Sequence, residues 1–185
     1  MRKLVAVAMA CLLLFSISGC REPGLLGKLK GYKVGVTWEG EPSYSWLVSQ
    51  EAKRRTRLAI VDDNSIPELA DYQSSLELLG DKHKLDYVLV CSLAHAGPME
   101  QKSNFSVLHG LRISVVYKRT AQVAYKLIAV PTGEILTSGI ASGVGTYSTY
   151  LRFDGQRATG RLGPTDEEVL LVEAIRDAIR RSELL

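Results

Sequence analysis

The stretches "DYVLVCSL" (Asp86–Leu93) and "VAYKLIAVPTGEILTSG" (Val123–Gly139) decide the fold. The first is an unbroken apolar run, too short for an ordinary helix, and such a run reads as a central strand covered on both faces. The second holds two apolar segments separated by "VPTGE", with Pro131 and Gly133 in the order that a type I turn followed by glycine requires. Together they predict a buried strand and an antiparallel hairpin.

Upstream of the central run, "YKVGVTW" alternates Val34 and Val36 with polar or small neighbours and reads as the first strand. Tyr44 to Arg57 reads as a helix, and Leu58 to Val61 as a short second strand. Ser65 and Glu68 form a capping box ahead of Leu69, Tyr72, Leu76 and Leu79, so a helix with one apolar face is expected up to Gly80 or His83. Downstream, the polar stretch Ala94 to Asn104, with Gly97 and Pro98, reads as a loop. A meander follows, with segments Val107 to Lys118, Gln122 to Val130 and Glu134 to Ala141. The glycine-rich stretch from Ser142 to Gly163 is expected to be irregular, with one short strand. Its Gly143 and Gly145, like Gly139, fit a strand bulge or a close backbone approach better than a phosphate cradle, because no lysine and no helix start follows them. A final helix is predicted from a Thr165/Glu168 capping box, with Asp166, Glu167 and Glu168 near its positive end and Arg176, Arg180 and Arg181 toward its negative end. Leu171, Ala174, Ile175, Ala178 and Ile179 form its buried stripe. The whole order predicts an α/β (α+β) sandwich, with a mixed sheet of five or six strands and a C-terminal meander on two or three helices.

On the residues "LDYVLVCSL" and "VAYKLIAVPTGEILTSG", this order resembles the domain shared by the TolB amino-terminal region, the curli-secretion lipoproteins and the lipoprotein activators of penicillin-binding proteins. The likeness is carried by structural motifs and implies the fold more than any activity.

The amino-terminal segment has signal-peptide architecture: Arg2 and Lys3, an apolar run from Leu4 to Phe15, then Ser16, Ser18 and Gly19. The run is broken before the roughly 20 apolar residues that a membrane span needs. "ISGC", Ile17 to Cys20, resembles the lipobox of bacterial lipoprotein precursors. That resemblance implies cleavage between Gly19 and Cys20, a diacylglyceryl group on the Cys20 sulfur and an acyl chain such as palmitate on the new amine. Two or three long chains hold a protein almost permanently where one does not. The expected organisation is a leader over 1–19, a lipidated cysteine and short tether over 20–31, and one domain over 32–185. By resemblance to enterobacterial sorting, Arg21 in place of Asp favours the periplasmic face of the outer membrane.

Without the leader the chain is close to neutral, so it carries no nucleic-acid footprint. Cys11 leaves with the leader and Cys20 is the lipidation site, which leaves Cys91 inside an apolar run, a setting for a small buried hydrophobe rather than a nucleophile. No G-x-S-x-G string is present, and His83, His95 and His109 are dispersed without metal-ligand spacing. The sequence therefore implies neither metal nor cofactor, and Asp62 with Asp63 reads as a solvated strand end. "KRRTR", Lys53 to Arg57, fits a solvated face or a contact with anionic headgroups. Trp38, Tyr44, Tyr147 and Tyr150 are the candidate partner-binding residues, since aromatics on loops anchor interfaces. Trp46 reads as nearer the core than Trp38.

The expected function is that of a non-enzymatic, lipid-anchored envelope lipoprotein that binds or helps assemble a partner protein, with the membrane reached through the acyl chains on Cys20. The alternatives implied by resemblance are a subunit of an outer-membrane secretion channel and a cell-wall synthase activator. A channel subunit needs membrane-crossing strands of about 9 to 11 residues, and Val107 to Lys118 has the length but carries Arg112 and Lys118.

Overall fold

The structure, a computed structural model, describes residues 24–40, 44–56, 59–62, 83–107, 111–154, 157–161 and 166–184. Outside them lie the leader and lipobox, the helix expected after Ser65, Asp63, His109 and Thr165.

The central run forms strand β3 (Tyr87–Ala96), and its buried residues face both ways. Leu89 and Cys91 enter the main core, while Val88 and Val90 join Leu85 and Ile128 in a smaller cluster on the opposite face. β3 pairs in parallel with β1 (Lys33–Glu39), which in turn pairs in parallel with β2 (Ala59–Asp62). Its other edge pairs antiparallel with β5 (Leu111–Ala129), so the sheet is mixed, as the order of elements predicts. β6 (Ile135–Asp154) and β7 (Arg157–Arg161) complete the path β2-β1-β3-β5-β6-β7, and β4 (Glu100–Ser106) pairs beside β5.

The predicted β5–β6 turn is present: Gly133 N–H donates to the Ala129 carbonyl at 2.8 Å and Ala129 N–H to the Glu134 carbonyl at 2.9 Å. Gly133 has φ +67°, a left-handed conformation that favours glycine.

Three sequence expectations give way here. The stretch Ala94 to Asn104 is no loop: β3 runs to Ala96, and β4 starts at Glu100 after a short break. The first two meander segments are one 19-residue strand, because Arg119 to Gln122 stay paired with Gly145 to Ser142. The glycine-rich segment is a continuation of β6 and then β7. β4, β7 and much of the later part of β6 are exposed and owe more to backbone pairing than to burial, so their polar, glycine-containing sequence lacks the apolar alternation by which strands are recognised.

Helix α3 of the described fold spans Glu167–Arg181, after α1 (Leu25–Lys28) and α2 (Ser45–Arg55). Its cap differs from the expected one, since the Asp166 carboxylate accepts from Glu168 N–H at 2.9 Å. The buried stripe is the predicted one with Leu170 added. Glycine is required beneath it: a Cβ on Gly143 would collide with the Ala174 carbonyl and Ala178 nitrogen, and one on Gly145 with the Leu170 carbonyl. Close approach, one of the two readings open for these glycines, is the one realised. Arg119 fastens the start of α3, donating to the Glu167 carbonyl at 2.9 Å and to the Gly97 carbonyl at 3.2 Å.

Part of the stretch expected as tether is folded. Leu26 of α1 is fully buried, and Leu25 and Leu26 N–H groups donate to the Glu183 and Leu184 carbonyls at 3.1 and 2.9 Å. The domain therefore begins no later than Gly24.

Glu51 joins the helices. Its buried carboxylate accepts two hydrogen bonds from Arg180, at 3.0 and 3.1 Å, with Arg54 and Arg176 within 3.4 and 3.7 Å. Burial alone raises its pKa, but the Arg180 hydrogen bond and the three arginine charges outweigh burial and hold it below the ordinary 4.5.

Two outcomes follow for stability. Gly143→Ala is expected to cost about 2 kcal/mol, or roughly 6 °C in the melting midpoint, by pushing α3 off the sheet. Glu51→Gln is expected to cost about 3 kcal/mol at neutral pH, because three arginines lose their shared carboxylate. Since the folded pKa is depressed, this contribution is present above the unfolded value and is lost as pH falls through the folded one. Thermal melts between neutral pH and pH 3 should show the variant approaching wild type below pH 4.5.

Candidate functional site

Beyond α3 the sheet continues with no described helix over it. The last buried layer is Val115, Tyr117 and Leu170, with Met99 against it. Past that point β4, β5, β6 and β7 lie side by side, all antiparallel, as a four-stranded arm. At about 3.3 Å per residue, the β5 path from Tyr125, beside the end of α3, to Leu111 is roughly 46 Å.

The arm is amphipathic because directly opposed residues share a face and alternate residues along a strand return to it. One face carries Leu111, Ile113, Tyr147, Leu151 and Phe153, with Phe105 of β4 opposite Ile113. Phe105 is 70% exposed and Tyr147 is 46% exposed. The other face carries Lys102, Arg112, Lys118, Tyr150 and Arg152. Arg112 and Lys118 thus sit opposite the apolar row and do not interrupt it. The sequence signal for this arm was the alternation in Leu111 to Tyr117, and its counterpart Tyr147, Leu151 and Phe153 was hidden among glycines, serines and threonines.

The four candidate aromatics separate. Trp38 is 6% exposed, packed edge-on against half-buried Tyr44 with ring centroids 5.5 Å apart, so both belong to the core and its margin. Trp46, expected nearer the core, is the exposed one at 44%. The reason is helical phase, since Leu47, Val48 and Ala52 of α2 take the buried positions. Tyr147 and Tyr150 both lie on the arm, on opposite faces, and so belong to two different surfaces. Gly19 and Cys20 lie outside the described residues, but Gly24 is folded against the end of α3. The chain path to Cys20 from there is at most about 14 Å.

Among the described residues no group of three or more His, Cys, Asp or Glu side chains could hold a metal ion. No described helix is long and apolar enough to cross a membrane. Cys91 is buried in the core, and burial, with the Glu39 charge adding to it, pushes its thiol up to about 12.

No family model and no curated protein matches the chain. Solved structures similar to it include lipoprotein GNA1162 from Neisseria meningitidis, 17% identical, with TM-score 0.38 over 62% of this chain and 83% of that one. The LpoB C-terminal domain from Salmonella enterica is 14% identical, with TM-score 0.39 over 64% and 91%. A PelC dodecamer from Paraburkholderia phytofirmans is 16% identical, with TM-score 0.36 over 64% and 73%. At these values the likeness bears on neither activity nor partner.

The Cys91 thiol is expected to resist alkylation by iodoacetamide at pH 8 in the native protein and to react once the protein is unfolded in guanidinium chloride, as read by intact mass.

Proposed function

We propose that this protein is a lipid-anchored envelope lipoprotein that acts without catalysis, presenting its β-arm to another envelope protein. The observation that carries the reading is the apolar face of the arm, Phe105, Leu111, Ile113, Leu151 and Phe153, exposed or half-exposed among the described residues at the far end of the sheet from Gly24. A short link from Cys20 to Gly24 keeps the end of the domain beside the C-terminus of α3 at the lipid, and the arm then extends the protein's reach by about 20 Å, the length of β5 from Tyr117 to Leu111. The partner gains apolar contact on one face and the edges of β4 and β7 that no described strand pairs, a combination suited to strand addition. Placement on the periplasmic face of the outer membrane rests on the residue after Cys20.

A second reading, a subunit of a secretion channel, is favoured by the alternation of apolar and polar residues along Leu111 to Arg119 and Gly145 to Phe153. The other two arm strands count against it. β4 has seven residues and β7 has five, short of the 9 to 11 that cross a bilayer. The arm also leaves the domain at the end away from Gly24. Adaptor action accommodates both facts. No observation favours the cell-wall synthase activator over another partner.

Photocrosslinking amino acids placed at Phe105, Leu111 and Tyr147 test the proposal in intact cells. A discrete crosslinked envelope protein is expected from these positions, with yield reduced at least fivefold by Cys20→Ala. Crosslinks only between copies, with a large ring in detergent by mass photometry, would establish the channel reading. Absence of any protein crosslink at all three positions would refute both.

A further inference from the structure

Between Ile135 and Thr149 the outer edge of β6 pairs with no described strand, because β7 joins it only from Tyr150 to Asp154. One hydrogen bond shows which backbone groups that edge presents: Val144 N–H donates to the Asp177 carboxylate of α3 at 3.0 Å. In an antiparallel strand, every second residue turns its N–H and C=O to the same side. The register with β5 is unbroken from Ser138 to Val144, so Ser138, Ile140 and Ser142 present theirs outward as well.

Asp177 occupies the edge at Val144. Beside Ser138–Ser142 lies instead a groove of about 490 Å³, lined by that stretch, by Tyr125 and by Arg181, Ser182 and Glu183 at the end of α3. Gly139 lets the Tyr125 ring lie across the strand there, since a Cβ would come within 2.5 Å of the Tyr125 hydroxyl oxygen. Natural proteins blunt an open edge with lysine, proline or a bulge. "SGIAS" (Ser138–Ser142) has none of these, and Ile140 is 64% exposed between two exposed serines.

Size selects the occupant. Five strand residues span about 17 Å, and the groove falls in the roughly 300–1,000 Å³ range of ligand sites. Nine residues line it, against about 20–30 a side in a standard protein–protein interface. That suits one short extended segment and is too little to hold a folded surface or a second copy.

We propose that the β6 edge from Ser138 to Ser142 is a strand-addition site for an extended segment of another protein, with an aliphatic residue at its centre. Ser138, Ile140 and Ser142 supply the main-chain hydrogen bonds, and the central residue covers the Ile140 side chain. Residues opposite Gly139 and Ala141 fall on the Tyr125 side of the sheet, in the groove. The site is independent of the adaptor reading, since it lies at the opposite end of β6 from the arm.

The test selects binders to the full chain, in a neutral detergent, from a phage-displayed library of random seven-residue peptides. The selected peptide, synthesised with both ends blocked, is the probe. Saturable binding by fluorescence anisotropy is expected, with the Ser138, Ile140 and Ser142 amides shifted most in NMR spectra. Ile140→Pro removes an outward N–H and none bonded to β5, and should weaken binding at least tenfold. Ile140→Lys should do the same, which keeps the test valid if the proline variant melts early. Phe105→Ser on the arm should leave binding unchanged. Methylating alternate amides of the probe should abolish binding in one phase and spare it in the other. Recovery of no binding peptide, tolerance of methylation in both phases, or binding lost in Phe105→Ser and kept in Ile140→Lys would overturn the proposal. So would a dimer in sedimentation that Ile140→Lys dissociates, because the edge would then belong to a second copy.

Discussion

The ladder between β5 and β6 is the element on which everything else is built. It runs from the turn at Gly133 to the pairing of Leu111 with Phe153, carried by backbone hydrogen bonds along strands of 19 and 20 residues. Its pairing does not depend on burial, so it continues where the core stops. The half near the turn holds the sheet's share of the main core, Val123, Tyr125, Leu127 and Ala141, under α3. The other half becomes the arm.

Where the two halves meet, side chains set the boundary. Arg119 reaches the Gly97 carbonyl, at the break between β3 and β4, and the Glu167 carbonyl at the start of α3. Gly143 and Gly145 let that helix press on the strand, and the contacts end at Leu170 against Val115 and Tyr117. At the other end of α3, Arg180 holds Glu51 of α2, and the carbonyls of Glu183 and Leu184 hold α1. One helix therefore ties the α1 end of the domain to the base of the arm, and the two ends are separated by its length. The arm in turn carries two surfaces of different chemistry, apolar on one side and donor-rich on the other. Strand pleating alone keeps them apart.

Much of the body was legible because burial writes itself into composition. The unbroken run at β3, the turn at "VPTGE" and the 3.6-residue stripe of α3 each signal a buried face. The arm was legible only in part, since Gln101, Ser103 and Thr149 sit on its apolar side and glycines punctuate β6. Such strands owe their existence to neighbours distant in the chain, and no local pattern reports a neighbour. Trp38 and Trp46 make the same point at the level of single residues, because helix phase and strand face decided which was covered.

By itself the sequence determined the α/β class, the buried strand, the hairpin turn and the small net charge, since each depends on composition, local periodicity or motifs whose residues are contiguous. Tertiary structure alone decided that β5 and β6 extend past the core, that Tyr147 and Tyr150 face opposite ways, and that Arg112 meets Arg152. Those are facts of register between segments tens of residues apart, and register is set by pairing across the sheet.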